Sequence, residues 1–261
     1  MKNVIAGLGE IGHPIFKLIS KSNPAIGFDI NPKLMNKKLI RKYESMPTSF
    51  LHICLPFTKK FIPNIASLFK KFQPKGIVIH STVSPYTTKK LQDHLPIPII
   101  YSPTRGVHKR MINDLKRYTK FFAIEPNSPK ARGASSSYSK LMKSCGIKTK
   151  KMSNPITLEL AKILVDTSYY GWLINYAQLS NFIAKRHNVD YEEMWSFSDE
   201  IHKFLGNRPK LFPGFIGGHC IIPNLDLIHN QTLDNIKKFN DQYRKKLKKV
   251  KIYRKKNSKK N

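Results

Sequence analysis

Short apolar runs alternate with stretches of helical periodicity through the first half of the chain. Lys2–Ala6 is the first such run, and Ile11, Ile15, Leu18 and Ile19 follow at helical spacing before a second run, Ala25–Phe28. The same reading predicts strands at 49–55, 76–80, 97–101, 119–124 and 147–151, and helices at 58–72, 86–95 and 131–145. Pro63 falls in the first turns of its helix, where proline is tolerated. Strands alternating with helices of this length predict an α/β fold, a mostly parallel sheet covered on both faces.

The rhythm changes near Ser153. A helical pattern opens at Pro155, with Ser153 or Asn154 as its cap, and runs to about Lys185. It is apolar over more than one stripe, so it must pack against several partners. A second helix is expected over 191–205, ended by Gly206 and Pro209, then a Gly-rich loop over 213–223 and a last helix from near Leu225. From Lys248 onward apolar periodicity is lost, and a frayed or disordered tail is expected. The organisation predicted is an α/β domain over 1–152, a helical central domain over 153–235, and a basic helix and tail over 236–261.

Charge adds a constraint. Lys and Arg number 47 against 16 acids, a net of +31, and 13 of the basic residues lie between Lys237 and Asn261 with one acid, Asp241. Such a surface favours anionic partners. The tail carries no nucleic-acid reading motif, and only Tyr243 and Tyr253 interleave it, so nucleic acid is at most a side partner. No run of eighteen apolar residues occurs and no signal peptide is expected, which points away from the membrane. Cys54, Cys145 and Cys220 are far apart and show no metal spacing. A reducing cytoplasm is the simplest compartment, and no metal is expected.

The candidate chemistry starts at the first turn. Gly7-Leu8-Gly9-Glu10-Ile11-Gly12 joins the first strand to the first helix, and Asp29 closes the second strand. Gly7 allows the tight turn, Gly9 lets the backbone approach a pyrophosphate, and Gly12 lets the helix pack on the strand. The pyrophosphate would sit at the helix N-terminus. Asp29, twenty residues after Gly9, is placed to accept the ribose hydroxyls and to repel a 2′-phosphate. NAD is therefore expected over NADP, with nearby Lys33 weakening that exclusion.

Four later segments carry a likeness. Ile53-Cys54-Leu55-Pro56, Ser81-Thr82-Val83-Ser84-Pro85-Tyr86-Thr87-Thr88, Leu158-Glu159-Leu160-Ala161-Lys162 and Gly217-Gly218-His219-Cys220-Ile221-Ile222-Pro223 resemble, in order and approximate spacing, motifs of the UDP-glucose/GDP-mannose (nucleotide-sugar) dehydrogenases. The resemblance spans residues 1 to about 235. It implies a Rossmann-type doubly wound sheet followed by an all-helical central, dimerising domain. It implies a cofactor site reaching Leu55, Pro56 and Thr82, with Thr82 also near the chemistry. In that family NAD takes two hydrides from a sugar alcohol, and a cysteine captures the aldehyde as a thiohemiacetal. Cys220 is the matching thiol. A cysteine behind Gly-Gly-His sits in a tight loop beside a cation, where a thiolate forms more easily. The alternative for a lone cysteine is a buried small hydrophobe.

The resemblance makes Lys162 a stabiliser of developing negative charge. One turn on, Asp166 stands where the family has asparagine, either as a base or as a simple i,i+4 partner of Lys162. Asn224 replaces the acid four residues past the cysteine. Thr104 and His108 replace two further acids, and Arg105, His108, Lys109 and Arg110 form a basic cluster suited to a phosphate or carboxylate. Gly217 and Gly218 complete the substrate side. No second α/β domain follows the cysteine loop, so a truncated form is expected, with a smaller substrate, a separate partner chain or a homodimer through the central helix in compensation. The leading expectation is an NAD-dependent oxidoreductase acting on a primary alcohol of an anionic nucleotide-sugar or smaller hydroxy compound. The alternative is a catalytically impaired scaffold or regulator of the same fold.

Overall fold

The computed structural model describes residues 1–218 and 220–257. The chain divides into two compact units, Met1–Lys162 and the residues from Ile163 onward.

The first unit is built on seven strands, β1 (Lys2–Ala6), β2 (Ala25–Phe28), β3 (Thr48–Ile53), β4 (Gly76–Ile79), β5 (Ile99–Tyr101), β6 (Lys120–Ile124) and β7 (Thr149–Lys151), ordered β2-β1-β3-β4-β5-β6-β7. All neighbours run parallel except β5 and β6. That antiparallel pair is invisible in the sequence pattern, because period-two burial does not encode direction. The helices are α1 (Gly12–Ile19), α2 (Lys37–Tyr43), α3 (Phe61–Phe72), α4 (Thr87–His94), α5 (Met111–Arg117), α6 (Ala131–Ser144) and α7 (Pro155–Ala161). Sequence reading missed α2 and α5, which are short and rich in lysine and arginine.

Alternation along each strand feeds two cores. Val4, Ala6, Leu51, Ile53, Ile77 and Ile79 pack with residues of α3, α4 and α7 on one face. Ile5, Val78 and Ile100 pack with residues of α1, α5 and α6 on the other. Burying both faces of a mostly parallel sheet is what turns its strands into short, nearly continuous apolar runs. The fold is Rossmann-type α/β, followed by a helical unit.

In the second unit, α8 (Tyr169–Arg186) lies against α12 (Gln231–Asn257), with α9 (Tyr191–Ser196), α10 (Asp199–Leu205) and α11 (Ile222–Leu225) between them in sequence. The expectations for its helices are corrected in part. The helix expected from Pro155 to about Lys185 is continuous, and its stretch Lys162–Ser168 is π-helical. The Ser168 hydroxyl donates to the Ile163 carbonyl five residues back, at 2.7 Å, which supports the wider turn. The helix expected over 191–205 is two helices, because the amide and hydroxyl of Ser198 both fold back onto the Trp195 carbonyl. The last helix starts at Gln231, where the Asn230 side chain accepts the amides of Thr232 (2.9 Å) and Leu233 (3.2 Å). Its backbone then stays helical to Asn257, through the part expected to fray. No Gly or Pro follows Pro223, and lysine and arginine propagate a helix already begun. Residues 258–261 lie outside the described residues. Among the described residues no helix is long and apolar enough to cross a membrane.

Candidate functional site

The strand order sets the place. From β1 the chain steps outward to β2 and then returns to β3 on the other flank of β1. The turns leaving β1 and β3 therefore diverge, and a crevice opens between their carboxyl ends, where open α/β sheets bind ligands.

The Gly7–Gly12 turn lies there, and its glycines are required for three separable reasons. Gly7 has φ +88°, and a Cβ on it would lie 2.7 Å from the Cys54 carbonyl oxygen. A Cβ on Gly12 would lie 1.7 Å from the Gly7 carbonyl oxygen. A Cβ on Gly9 would meet nothing within 4 Å, so the backbone there faces open space. The first turn of α1 holds no acidic side chain, and Ile11 caps it with none. Its backbone donors suit an anion. Asp29 sits at the end of β2 with Oδ2 accepting the Leu8 amide at 2.6 Å and Oδ1 accepting the Asn31 amide at 2.8 Å. Its carboxylate is thus fixed to the glycine turn. Lys33 is exposed in the short 3-10 turn Pro32–Leu34. Ile11 packs on the core beneath, and Glu10 reaches His108, Oε2 to Nδ1 at 2.9 Å.

Two neighbouring loops complete the edge. Leu55 and Pro56 follow β3, and the Ser81 hydroxyl donates to the Leu55 carbonyl, tying the β3 and β4 exits together. Thr82 follows, half-buried. The loop then enters α4 through Tyr86, which holds φ +65°. Glu159, fully buried on α7, accepts the Tyr86 amide at 2.6 Å, the Thr88 amide at 2.9 Å and the Thr88 hydroxyl at 2.6 Å. One carboxylate thus caps α4 from a distant helix. Burial pushes the Glu159 carboxyl above its ordinary range, against the pull of those three donors. Lys162, half-buried, lies three residues further along the chain.

The loop after β5 is held from below by a buried polar row. His52 and His80 stack with ring centroids 5.2 Å apart and bond Nδ1 to Nε2 at 2.9 Å. His80 Nδ1 donates to the Ser102 carbonyl at 3.0 Å, so its Nε2 is the acceptor from His52. Lys120 donates to the Ser102 and Pro103 carbonyls at 3.0 and 3.2 Å and to Thr104 Oγ1 at 3.4 Å. Burial drives His52 down to about 3, His80 well below its ordinary value, and Lys120 to about 7, the neighbouring cations adding to each. The half-buried Cys54 thiol is pushed by its apolar surroundings up to about 12, which removes it as a nucleophile. Thr104 is buried, and Arg105 donates to the Thr119 carbonyl at 2.6 Å with its guanidinium 5.0 Å from the Phe121 ring centre. Both are anchored to the sheet edge, whereas His108 and Lys109 stand further out.

In the second unit the loop holding Gly217, Gly218 and Cys220 is clamped at its base. Asn240 on α12 brackets Ile216, accepting its amide at 2.8 Å and donating to its carbonyl at 3.0 Å. Gln178 on α8 donates to the Gly214 carbonyl at 2.6 Å and to Asn240 at 3.2 Å. Beyond this clamp Gly217, Gly218 and Cys220 are exposed, Gly218 with φ +73°. Asn224 donates its side-chain amide to the Cys220 carbonyl. Asp166 is exposed on the π-helical stretch. His219, the expected cation beside the thiol, lies outside the described residues.

The structure thus gathers Gly7, Gly9, Glu10, Ile11, Gly12, Asp29, Leu55 and His108 at one crevice. It places Gly217, Gly218 and Cys220 in one loop, with Asn224 on α11 bonded back to it. Sequence reading missed Glu159 as a cap, the His52–His80–Lys120 row and the Gln178–Asn240 clamp. Only the last left a signal: Asn175, Gln178 and Asn181 recur at helical spacing on an otherwise apolar helix. No cluster among the described residues would hold a metal ion. A surface cleft of about 520 Å³ between Lys89 and Pro129 includes none of the candidate residues.

The fold, a Rossmann-type sheet followed by a helical unit, is shared with solved structures of several dehydrogenases. The chain is similar to a UDP-D-ManNAc dehydrogenase from Pyrococcus horikoshii, at TM-score 0.77 and 16% identity over 93% of this chain and 69% of that one. It is similar to an NDP-N-acetyl-D-galactosaminuronic acid dehydrogenase from Methanosarcina mazei, at TM-score 0.69 and 14% identity over 97% and 68%. A 3-hydroxyisobutyrate dehydrogenase from Mycobacterium tuberculosis aligns at TM-score 0.66 and 12% identity over 94% of this chain and 92% of that one. At these identities the likeness is one of fold. No family model and no curated protein matches the sequence.

Proposed function

We propose that this chain is an NAD-dependent oxidoreductase acting on an alcohol of an anionic compound, a nucleotide-sugar or a smaller hydroxy acid. The observation that carries the reading is the Asp29–Leu8 contact. It fixes a carboxylate at the rim of a glycine turn whose Gly9 faces open space. Gly7, Gly9 and Gly12 would hold the pyrophosphate against the α1 N-terminus, and Asp29 the adenosine ribose. The cofactor supplies the hydride acceptor. The sugar and hydroxy-acid dehydrogenases of like fold support the substrate classes.

On this reading Lys162 stabilises charge developing on the substrate oxygen, and Cys220 is the thiol available where an aldehyde must be captured. A homodimer through the central helix belongs to the same proposal. Val165, Tyr169, Trp172, Tyr176, Leu179 and Ile183 are all exposed along it, more apolar surface than a solvated helix ordinarily shows.

The test is titration with NAD and NADP followed by a substrate panel. NAD is expected to bind more tightly than NADP, and Asp29→Asn to abolish that preference. UDP-sugars and small hydroxy acids are then offered to the wild type and to Cys220→Ala. Binding of NAD without turnover on any of them would favour the scaffold reading, and failure to bind NAD would overturn the proposal.

A further inference from the structure

The contact between Glu10 and His108 joins two parts of the site with different duties. Glu10 belongs to the glycine turn, while His108 opens the short 3-10 turn His108–Arg110 between β5 and α5. The segment between Arg105 and Arg110 is fastened at both ends. At its start, Arg105 is bound to the Thr119 carbonyl, and Lys120 grips Ser102, Pro103 and Thr104. At its end, Asp114 Oδ2 on α5 accepts the Val107 amide at 2.9 Å and Arg110 Nε at 3.0 Å. Between these anchors Gly106 takes φ +140°, a conformation closed to other residues, and a Cβ there would lie 2.8 Å from the Asp114 Cβ. The result is a short strap with a glycine bend. It bears Arg105, His108, Lys109 and Arg110, and it meets the glycine turn where His108 bonds to Glu10.

The charges give the contact a purpose. A carboxylate in a phosphate-binding turn repels a pyrophosphate unless it is engaged elsewhere. An imidazole bonded to it turns that carboxylate toward the strap and holds the basic strap beside the turn. We propose that His108, through Glu10, is a retaining residue for the dinucleotide: their contact latches the strap across the glycine turn, and release of the dinucleotide requires the latch to open. This rests on the dinucleotide reading above. Both side chains are partly exposed, 51% for Glu10 and 29% for His108, so the contact is of the modest strength usual at a surface. It should act on residence time more than on the fold.

The experiment follows NADH fluorescence in stopped flow, displacing bound NADH from the full chain with excess NAD. Wild type, Glu10→Ala, His108→Ala and the double variant are compared. A latch predicts about three- to fivefold faster release in each single variant and no further gain in the double, because either change opens the same contact. Amide exchange at 106–110 should rise in both single variants without NADH, a readout independent of binding. Release rates equal to wild type, or effects that multiply in the double variant, overturn the latch and leave the dinucleotide reading intact. A wild type that binds no NADH overturns both.

Discussion

Thr88 gives both its backbone amide, at 2.9 Å, and its hydroxyl, at 2.6 Å, to the Glu159 carboxylate. Residues 71 apart in sequence are thereby bound into one helix cap. The first turn of α4 has no acid of its own, so the cap is borrowed from α7.

Removing that carboxylate strands the amides of Tyr86 and Thr88 in the interior. Glu159→Ala is expected to cost about 2–4 kcal/mol, since three hydrogen bonds to a charged acceptor are lost together. Thr88→Val should cost less, about 1 kcal/mol, because the amide bond survives. Urea unfolding of the three proteins orders them, and equal midpoints would show that the cap carries no stability.

Tyr86 adopts the left-handed conformation at φ +65° with its side chain mostly in solvent. Its bond to Glu159 comes from the backbone and survives substitution. Tyr86→Gly is therefore expected to stabilise the chain by about 0.5–1 kcal/mol through relief of strain, net of the added freedom of the unfolded glycine. A lowered unfolding midpoint would show instead that the ring packs productively.

The glycine turn separates folding from binding. Gly12→Ala drives a methyl into the Gly7 carbonyl and should destabilise the first unit by several kcal/mol, on the order of 3. Gly9→Ala has room, so its unfolding midpoint should stay within about 0.5 kcal/mol of wild type. The same methyl occupies the pyrophosphate approach, and NADH affinity is expected to fall by about tenfold or more. Undiminished affinity in Gly9→Ala would move the pyrophosphate elsewhere.

Lys120 makes stability depend on pH. The unfolded chain keeps this proton to the ordinary lysine value of 10.5, whereas the folded chain releases it at about 7. Between those values the unfolded state binds more protons, so stability rises with pH, by at most about 1.4 kcal/mol per unit. His52, lowered from 6.5 to about 3, adds a rise of the same sign between those two values. The urea midpoint should be higher at pH 9 than at pH 7, and Lys120→Met should flatten that difference. An unchanged slope in the variant would assign it to other groups.

How much of this was legible in the sequence depended on how local the cause was. β2 could be read to the residue, because Pro24 and Asp29 bound a short apolar run. Gly7, Gly12 and Asp29 were legible because backbone geometry at one turn restricts residue type. The π-helical stretch was not, since Ile163, Leu164 and Val165 suit an ordinary helix and the wider turn is supported by a serine five residues on. Nor was the polar row: His52, His80 and Lys120 lie far apart in sequence, and only the strand order brings them together. The anchoring of Thr104 and Arg105 belongs with it, because the groups that hold them come from β6 and the turn before it.

The polar row also bears on how the sheet assembles. β3 and β4 bury side chains on both faces, and a one-residue slip in pairing turns each side chain to the opposite face. A slip of β3 or β4 by one position would turn His52 or His80 into the opposite core, where Ile53 and Ile79 now sit among aliphatic side chains. There an imidazole would find no acceptor. The buried histidines thus serve as a key that only one alignment of the strands can turn.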